Sequence, residues 1–447
     1  MTERRGPGPV TAADEVVPMT QELVRFDTSN YGDDSGPGER AAAEYVVGLL
    51  QDVGFDLEVF ESRPGRTSVV TRWEGRDPDR PALVLHGHLD VVPAVRHGGA
   101  DDWQVDPFAG ELHDGLVWGR GAVDMKDMDA MILSVVRQRV REGRPPARDV
   151  VLAMFADEES GGVLGSHWAV EHRPELFAGA TEAISEVGGY SVEVGGRRAY
   201  LLQTAEKGLA WLRLVAEGRA GHGSAVNPDN PVTELAAAVA RIGAHRWPLH
   251  LVPAAQRLLE GVADLAGLRY DPDDETAVAA LVDALGPAAR FVGATVRQTT
   301  TPTTLTAGYK VNVVPGQAQA GVDARFLPGT EDELMAQIAA LAGPGVRVEV
   351  QHRDAALEAP VDAPLVAAMT AAVTAEDPGA VVLPYLLSAG TDNKALSRLG
   401  IAGYGFAPLR LPADLDFPAM FHGVDERVPT DALVFGTRVL DRLLDTV

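Results

Sequence analysis

Ala82-Leu83-Val84-Leu85-His86-Gly87-His88-Leu89-Asp90 decides the fold class. Its first four residues form a short, unbroken apolar run, the pattern of a strand buried on both faces of a sheet, and the run leads into side chains able to hold a metal or a proton. Residues 150–155 repeat the pattern and lead into Asp157-Glu158-Glu159. Helix-like segments alternate with these runs. Residues 41–53 are amphipathic, with Ala42, Tyr45, Val46, Leu49 and Leu50 on one side and Gly54 as a stop. Residues 123–139 are helical in period, and Gly143-Arg144-Pro145-Pro146 breaks the pattern. Alternation of this kind predicts an α/β domain with a largely parallel sheet, whose ligands gather at the carboxyl ends of the strands.

Near Glu206 the texture changes. Residues 209–215 read as a long strand, 231–242 as an Ala-rich helix, 304–309 and 318–326 as strands, 331–341 as a helix and 346–350 as an alternating strand. Together they form a β-α-β-β-α-β unit, with an acidic insertion at about 247–297. From about Pro360 the first rhythm resumes. The predicted division is a discontinuous catalytic domain of residues 1–205 and 357–447, interrupted by an inserted lid and dimerisation domain of residues 206–356.

A chain of 447 residues exceeds a usual single core, which agrees with two domains. With 39 basic against 64 acidic residues the net charge is −25, a field that repels phosphate backbones and anionic membranes. Nucleic-acid and membrane partners are therefore not expected. The absence of cysteine excludes disulfides, thiolate zinc sites and Cys nucleophiles, so any metal must use His and carboxylates. Neither a signal peptide nor a run of about 20 apolar residues is present, so a cytoplasmic location is expected.

Five segments carry the chemistry. In the first, Asp90 is spaced to hydrogen-bond the second imidazole nitrogen of His88, fixing its tautomer. His86 shares the face by strand alternation, and only the His-x-Asp spacing favours His88. In Gly119-Arg120-Gly121-Ala122-Val123-Asp124-Met125-Lys126-Asp127 a sharp turn enters a helix. Asp124 there could cap the helix, or its two oxygens could bridge two cations. The adjacent carboxylates of Asp157-Glu158-Glu159 repel one another unless cations or shared protons compensate, although a solvated acidic turn is the plain alternative. With metal present, one Glu can ligate while the other takes a proton. Glu186, after Ala183-Ile184-Ser185, and His422, in Met420-Phe421-His422-Gly423, would each pass for a loop residue. Their weight lies in the count: two metals sharing one carboxylate need two further ligands each, and His88 with Glu186 and Glu159 with His422 supply them.

Taken together, the segments Leu85 to Pro93, Trp118 to Lys126, Asp157-Glu158-Glu159 and Glu186-Val187-Gly188-Gly189 resemble those of one family. It is the dinuclear zinc family of aminoacylases, glutamate carboxypeptidase, acetylornithine deacetylase, succinyl-diaminopimelate desuccinylase and dipeptidases. The resemblance implies a zinc-exopeptidase-like αβα catalytic domain carrying an inserted ferredoxin-like lid, and two zinc ions per chain, with cobalt or manganese as substitutes. It implies that His88, Asp124 and Glu186 hold one ion and Asp124, Glu159 and His422 the other. Glu158 matches the general base, Asp90 its supporting acid, and the Asp124-Met125 peptide is expected to be cis.

The same resemblance implies a homodimer, formed through the lid, in which His222 of Gly221-His222-Gly223-Ser224 reaches the partner's active site. Asn312, Arg325, Gly390 and Thr391 match substrate-contacting positions. The expected activity is a zinc-dependent amidohydrolase acting on an amide beside a free carboxylate, in an N-acyl amino acid or short peptide. Dipeptidase, carboxypeptidase or desuccinylase specificity on the same site, and a non-catalytic scaffold of the same fold, are the alternatives. Two departures from the family pattern, a long link at 94–102 and the 247–297 segment that enlarges the lid, bear on the pocket.

Overall fold

The computed structural model describes residues 10–33, 35–94 and 103–447; the long link falls almost wholly outside them. Strand Ala82–His88 lies between Val150–Phe155 and Ala180–Ser185, parallel to both, and Ala402–Gly405 continues the parallel set beyond Ala180–Ser185. Arg66–Trp73 and Glu58–Arg63 add antiparallel strands at one side. On the other side Arg197–Glu206 pairs with antiparallel Tyr190–Val194 and parallel Val381–Leu387. The sheet is therefore mixed, with a parallel middle. Its strands read as continuous apolar runs because both faces are covered. Leu83 and Leu85 pack into the layer of helices Ala12–Arg25, Lys126–Arg141 and Thr430–Thr446, while Val84, Val151, Ala153 and Phe155 fill the opposite face.

A second, antiparallel sheet has the order Thr299–Ala307, Gln317–Phe326, Gly208–Glu217, Val346–Asp354. Alternation sends Ala210, Leu212, Leu214 and Ala216 toward Leu235, Ile242, Leu334 and Ile338 of helices Pro231–Ala244 and Glu331–Ala342. Leu209, Trp211 and Arg213 take the opposite face. The strand expected over 304–309 begins at Thr299 and ends at Ala307. Its Thr-rich run suits an edge strand, Pro302 is tolerated where no ladder partner is needed, and Gly308 turns the chain at φ 69°.

Trp247 packs in the core of this second layer, but the helices of the 247–297 segment do not enlarge it. Leu258, Leu259 and Val262 of helix Pro253–Ala266, with Val278 and Leu281 of Glu275–Asp283, join the core that contains Leu383 and Tyr385 of the central sheet. A Cβ at Gly261 would stand 2.3 Å from Leu383 Cδ2, so glycine permits the close approach of helix and strand. Because this segment returns to the central sheet, the chain passes between the two sheets in four places. These are Lys207, the stretch between Ala244 and Pro253, the stretch between Val292 and Thr299, and the turn between Asp354 and Leu357. Among the described residues no helix is long and apolar enough to cross a membrane.

Candidate metal centre

Three parallel strands end together, and their ends bring His88, Glu158, Glu159 and Glu186 into one place. His88 closes its strand, and its Nε2 lies 3.2 Å from Asp124 Oδ1 and 3.5 Å from Glu186 Oε2. The other oxygen of Asp124, Oδ2, lies 3.3 Å from His422 Nε2, which is 3.1 Å from Glu159 Oε2. Each trio could hold an ion: the ligand atoms of His88, Asp124 and Glu186 lie within 4.8 Å of one another, as do those of Asp124, Glu159 and His422. Asp124 is common to both, one oxygen facing each trio.

Glu426 builds the Asp124 turn. Its fully buried carboxylate accepts from Arg120 Nη1 at 2.9 Å and from the N–H groups of Gly121 at 3.0 Å, Val123 at 2.7 Å and Asp124 at 3.0 Å. Nothing in its local sequence marks Glu426 for this role. The Asp124-Met125 peptide is cis.

Asp90 acts differently from its expected part. The His88 Nδ1 partner is the Asp90 backbone carbonyl, at 2.9 Å, and the carboxylate is 3.6 Å away. The carboxylate instead accepts the N–H of Glu158 on one oxygen and the N–H of Glu159 on the other, both at 3.1 Å, with Asn30 Nδ2 at 2.9 Å. Asp90 thus pins the backbone of the acid pair, which turns sharply after Asp157 at φ 70°. His86 bonds Asn393 at 3.0 Å and takes no part in either trio.

Four carboxylates and two imidazoles gathered within a few ångströms, with His88, Asp124 and Glu186 buried, cannot all keep their ordinary charge. Burial, reinforced by the Asp124 charge, pushes Glu186 and Glu159 up; burial and then Glu186 push Glu158 well above the usual carboxylate range. Burial opposes ionisation of Asp124 as well, but hydrogen bonds from His422 and His88 overcome it and hold that carboxyl well below the usual range. His422 is pushed up to about 11 by its bonds to Asp124 and Glu159. Burial works against a charged His88, yet Glu186 and Asp124 raise it well above the usual imidazole value. A demand for positive charge, framed by oxygen and nitrogen donors alone, suits two divalent cations.

A cleft of about 200 Å³ joins this cluster to the antiparallel sheet. Glu158, Glu159 and His422 line one side, and Leu209, Trp211, Arg325 and His352 the other. Arg325 is held by Asp323, Nε to Oδ1 at 2.7 Å and Nη2 to Oδ2 at 3.0 Å, which leaves Nη1 outside that pair. Gly390 and Thr391 also line the cleft, but the Thr391 N–H and hydroxyl both donate to Glu206, at 3.1 and 2.7 Å. His222 and Asn312 lie elsewhere. Both are exposed, and they sit together where Gly221–His222 pairs with Val313–Val314 and the Asn312 carbonyl accepts the Gly223 N–H at 2.9 Å. Trp211, His352, Asp392 and Glu426 join the expected residues; a single exposed Trp in a strand gave no local signal for a cleft.

A mixed α/β core whose parallel strands end on paired metal-ligating trios, facing a second sheet across a cleft, defines a metallohydrolase. Residues 84–446 match peptidase family M20/M25/M40, and the chain belongs to that family. It is a hydrolase of amide bonds in peptides or N-acyl amino acids. Aminoacylase-1 of Homo sapiens is 26% identical over 440 residues, covering 96% of this chain and 94% of its own. Among solved structures, an M20 family metallo-carboxypeptidase from Sulfolobus solfataricus superimposes with a TM-score of 0.73 at 17% identity, over 97% of this chain and 99% of that one. A dinuclear metal binding peptidase of the M20 family from Bacillus subtilis gives 0.57 at 13% identity, over 97% of both chains.

Proposed function

We propose that the protein is a zinc-dependent amidohydrolase cleaving an amide beside a free carboxylate, with N-acyl amino acids as the substrate class. The observation that carries the reading is the division of Asp124, one oxygen toward each trio, with Glu158 left outside both. When bound, two cations supply Lewis acidity that polarises an amide carbonyl and acidifies water. His88, Asp124 and Glu186 would hold one ion, and Asp124, Glu159 and His422 the other.

Glu158 is the proton carrier. Its backbone is tied to Asp90 and its raised proton affinity suits a group that takes a proton from water and returns it to the leaving nitrogen. Asp90 keeps that acid and its neighbour Glu159 in register. Arg325, oriented by Asp323, offers Nη1 to the substrate carboxylate. Gly390 and Thr391 shape the facing loop. His222 and Asn312, exposed together and remote from the cleft of their own chain, suit a homodimer in which they serve the partner's centre. The full-length similarity to aminoacylase-1 favours an acyl amino acid over a dipeptide.

The test is turnover of an N-acyl amino acid panel against a dipeptide panel, before and after chelation and zinc return. Glu158→Gln is expected to keep two zinc equivalents and lose about a hundred- to ten-thousand-fold in kcat. Full activity in that variant sinks the assigned mechanism, and turnover confined to dipeptides sinks the substrate class.

A further inference from the structure

One side chain holds two of the passages between the sheets. The Lys394 ammonium donates to the carbonyl of Lys207 at 2.7 Å and to that of Ala355 at 2.6 Å, one residue from each passage. It lies 3.8 Å from the Glu206 carboxylate, in a site that leaves Lys394 only 5% exposed. A buried ammonium is costly unless it is hydrogen-bonded and its charge is offset, and here two carbonyls accept from it while the Glu206 carboxylate offsets its charge. Glu206, itself fully buried, reaches the other way and accepts both donors of Thr391 and the Gln203 amide at 2.9 Å.

Lys394 and Thr391 belong to the segment that lines the cleft, and Asp392 between them adds its charge to the surroundings of Glu158. Gly390 makes room for the arrangement, because a Cβ there would stand 2.3 Å from Lys394 Cε. The loop beside the carboxylates and the two passages that carry the antiparallel sheet are therefore tied by one ammonium. A buried lysine that merely filled space would have no need to select carbonyls from both passages.

We propose that Lys394 is a positioning residue for hydrolysis. It staples the passages at Lys207 and Ala355 to the Gly390-Thr391 loop and so sets Trp211 and Arg325 against Glu158.

Lys394→Met removes the ammonium and keeps an unbranched stem. Both zinc equivalents are expected to stay, kcat/KM to fall about ten- to a hundred-fold, and Lys394→Arg to recover part of the loss. In the metal-free protein, peptides covering residues 203–209 and 353–359 are expected to exchange amide hydrogens faster in the Met variant. Unchanged exchange at both passages overturns the proposal whatever the activity, so this arm does not depend on which substrate is cleaved. Kinetic constants within about two-fold of wild type in a folded Met variant overturn it too, because a purely structural ammonium would lower stability alone. Loss of zinc also overturns it and assigns Lys394 to the metal centre. If the Met variant does not fold, Gly390→Ala decides: its Cβ displaces Lys394, and wild-type exchange at both passages overturns the proposal.

Discussion

Glu426→Gln asks whether one buried carboxylate builds the whole centre. In the native protein Oε2 accepts from Arg120 at 2.9 Å and Gly121 at 3.0 Å, and Oε1 from Val123 at 2.7 Å and Asp124 at 3.0 Å. Glutamine keeps the shape but replaces one oxygen with an NH2 group, which cannot accept. Whichever oxygen is replaced, half of the donors lose their acceptor. Hydrogen bonds to a charged group contribute about 1.5–3 kcal/mol each, and breaking a buried ion pair costs about 3–5 kcal/mol, so the expected loss is about 3–5 kcal/mol. Replacing Oε1 strips the Asp124 N–H of its acceptor and replacing Oε2 frees the Arg120-Gly121 end of the same turn, so in either case the turn that seats the shared carboxylate is disturbed and both cations weaken together. Urea unfolding followed by the fluorescence of Trp103, whose ring centre lies 5.1 Å from the Arg120 guanidinium carbon, reads the stability. Competition with a chromophoric chelator reads the zinc. An unchanged urea midpoint refutes the reasoning, and so does loss of one ion with the other held as tightly as before.

Three further outcomes are expected. His422→Ala removes a ligand from one trio only, so titration should find one tight zinc and one weakened; two equally weakened ions would contradict the division of ligands. Leu258→Ala should destabilise the protein by about 2–5 kcal/mol and speed hydrogen exchange in strand Val381–Leu387, whereas effects confined to the antiparallel sheet would contradict the packing of its helix. Asp129 is fully buried with no hydrogen-bond partner for either oxygen, and burial raises its pKa from 3.8 to about 8. The folded state then keeps a proton that the unfolded chain releases, so this stabilising contribution is complete below about pH 4 and is lost as pH rises through about 8. Asp129→Asn should therefore gain on wild type in unfolding midpoint as pH rises across that window; a constant difference contradicts the assignment.

Much of the centre was legible because parallel strands end on the same side. Once the runs before His88, Glu158 and Glu186 read as buried strands, their following residues had to converge. Asp90 shows where spacing stops helping. The His-x-Asp interval predicts a carboxylate on the imidazole, but the imidazole takes the Asp90 backbone carbonyl, and the carboxylate serves two N–H groups far along the chain. Glu426 sits beside Asp425 with nothing local to separate them, and its partners lie about three hundred residues away. The 247–297 helices illustrate a third limit. Amphipathic period predicts that a face is buried, not which sheet receives it, and Leu383 supplied the surface.

The register of the antiparallel sheet aligns its connections to the core. Thr299 stands opposite Arg325, Arg325 opposite Leu209, and Leu209 opposite Asp354, so the three passages that join strands leave the sheet along one border that spans roughly 14 Å for three strand spacings. A plate fastened along one border tilts about that line and resists twisting about any other. Arg325 lies on this border and lines the cleft with Glu158 and Glu159. His222 is reached past the opposite border, at Glu217 and Gln317, so any tilt of the sheet about its fastened border would displace this imidazole far more than it would displace Arg325.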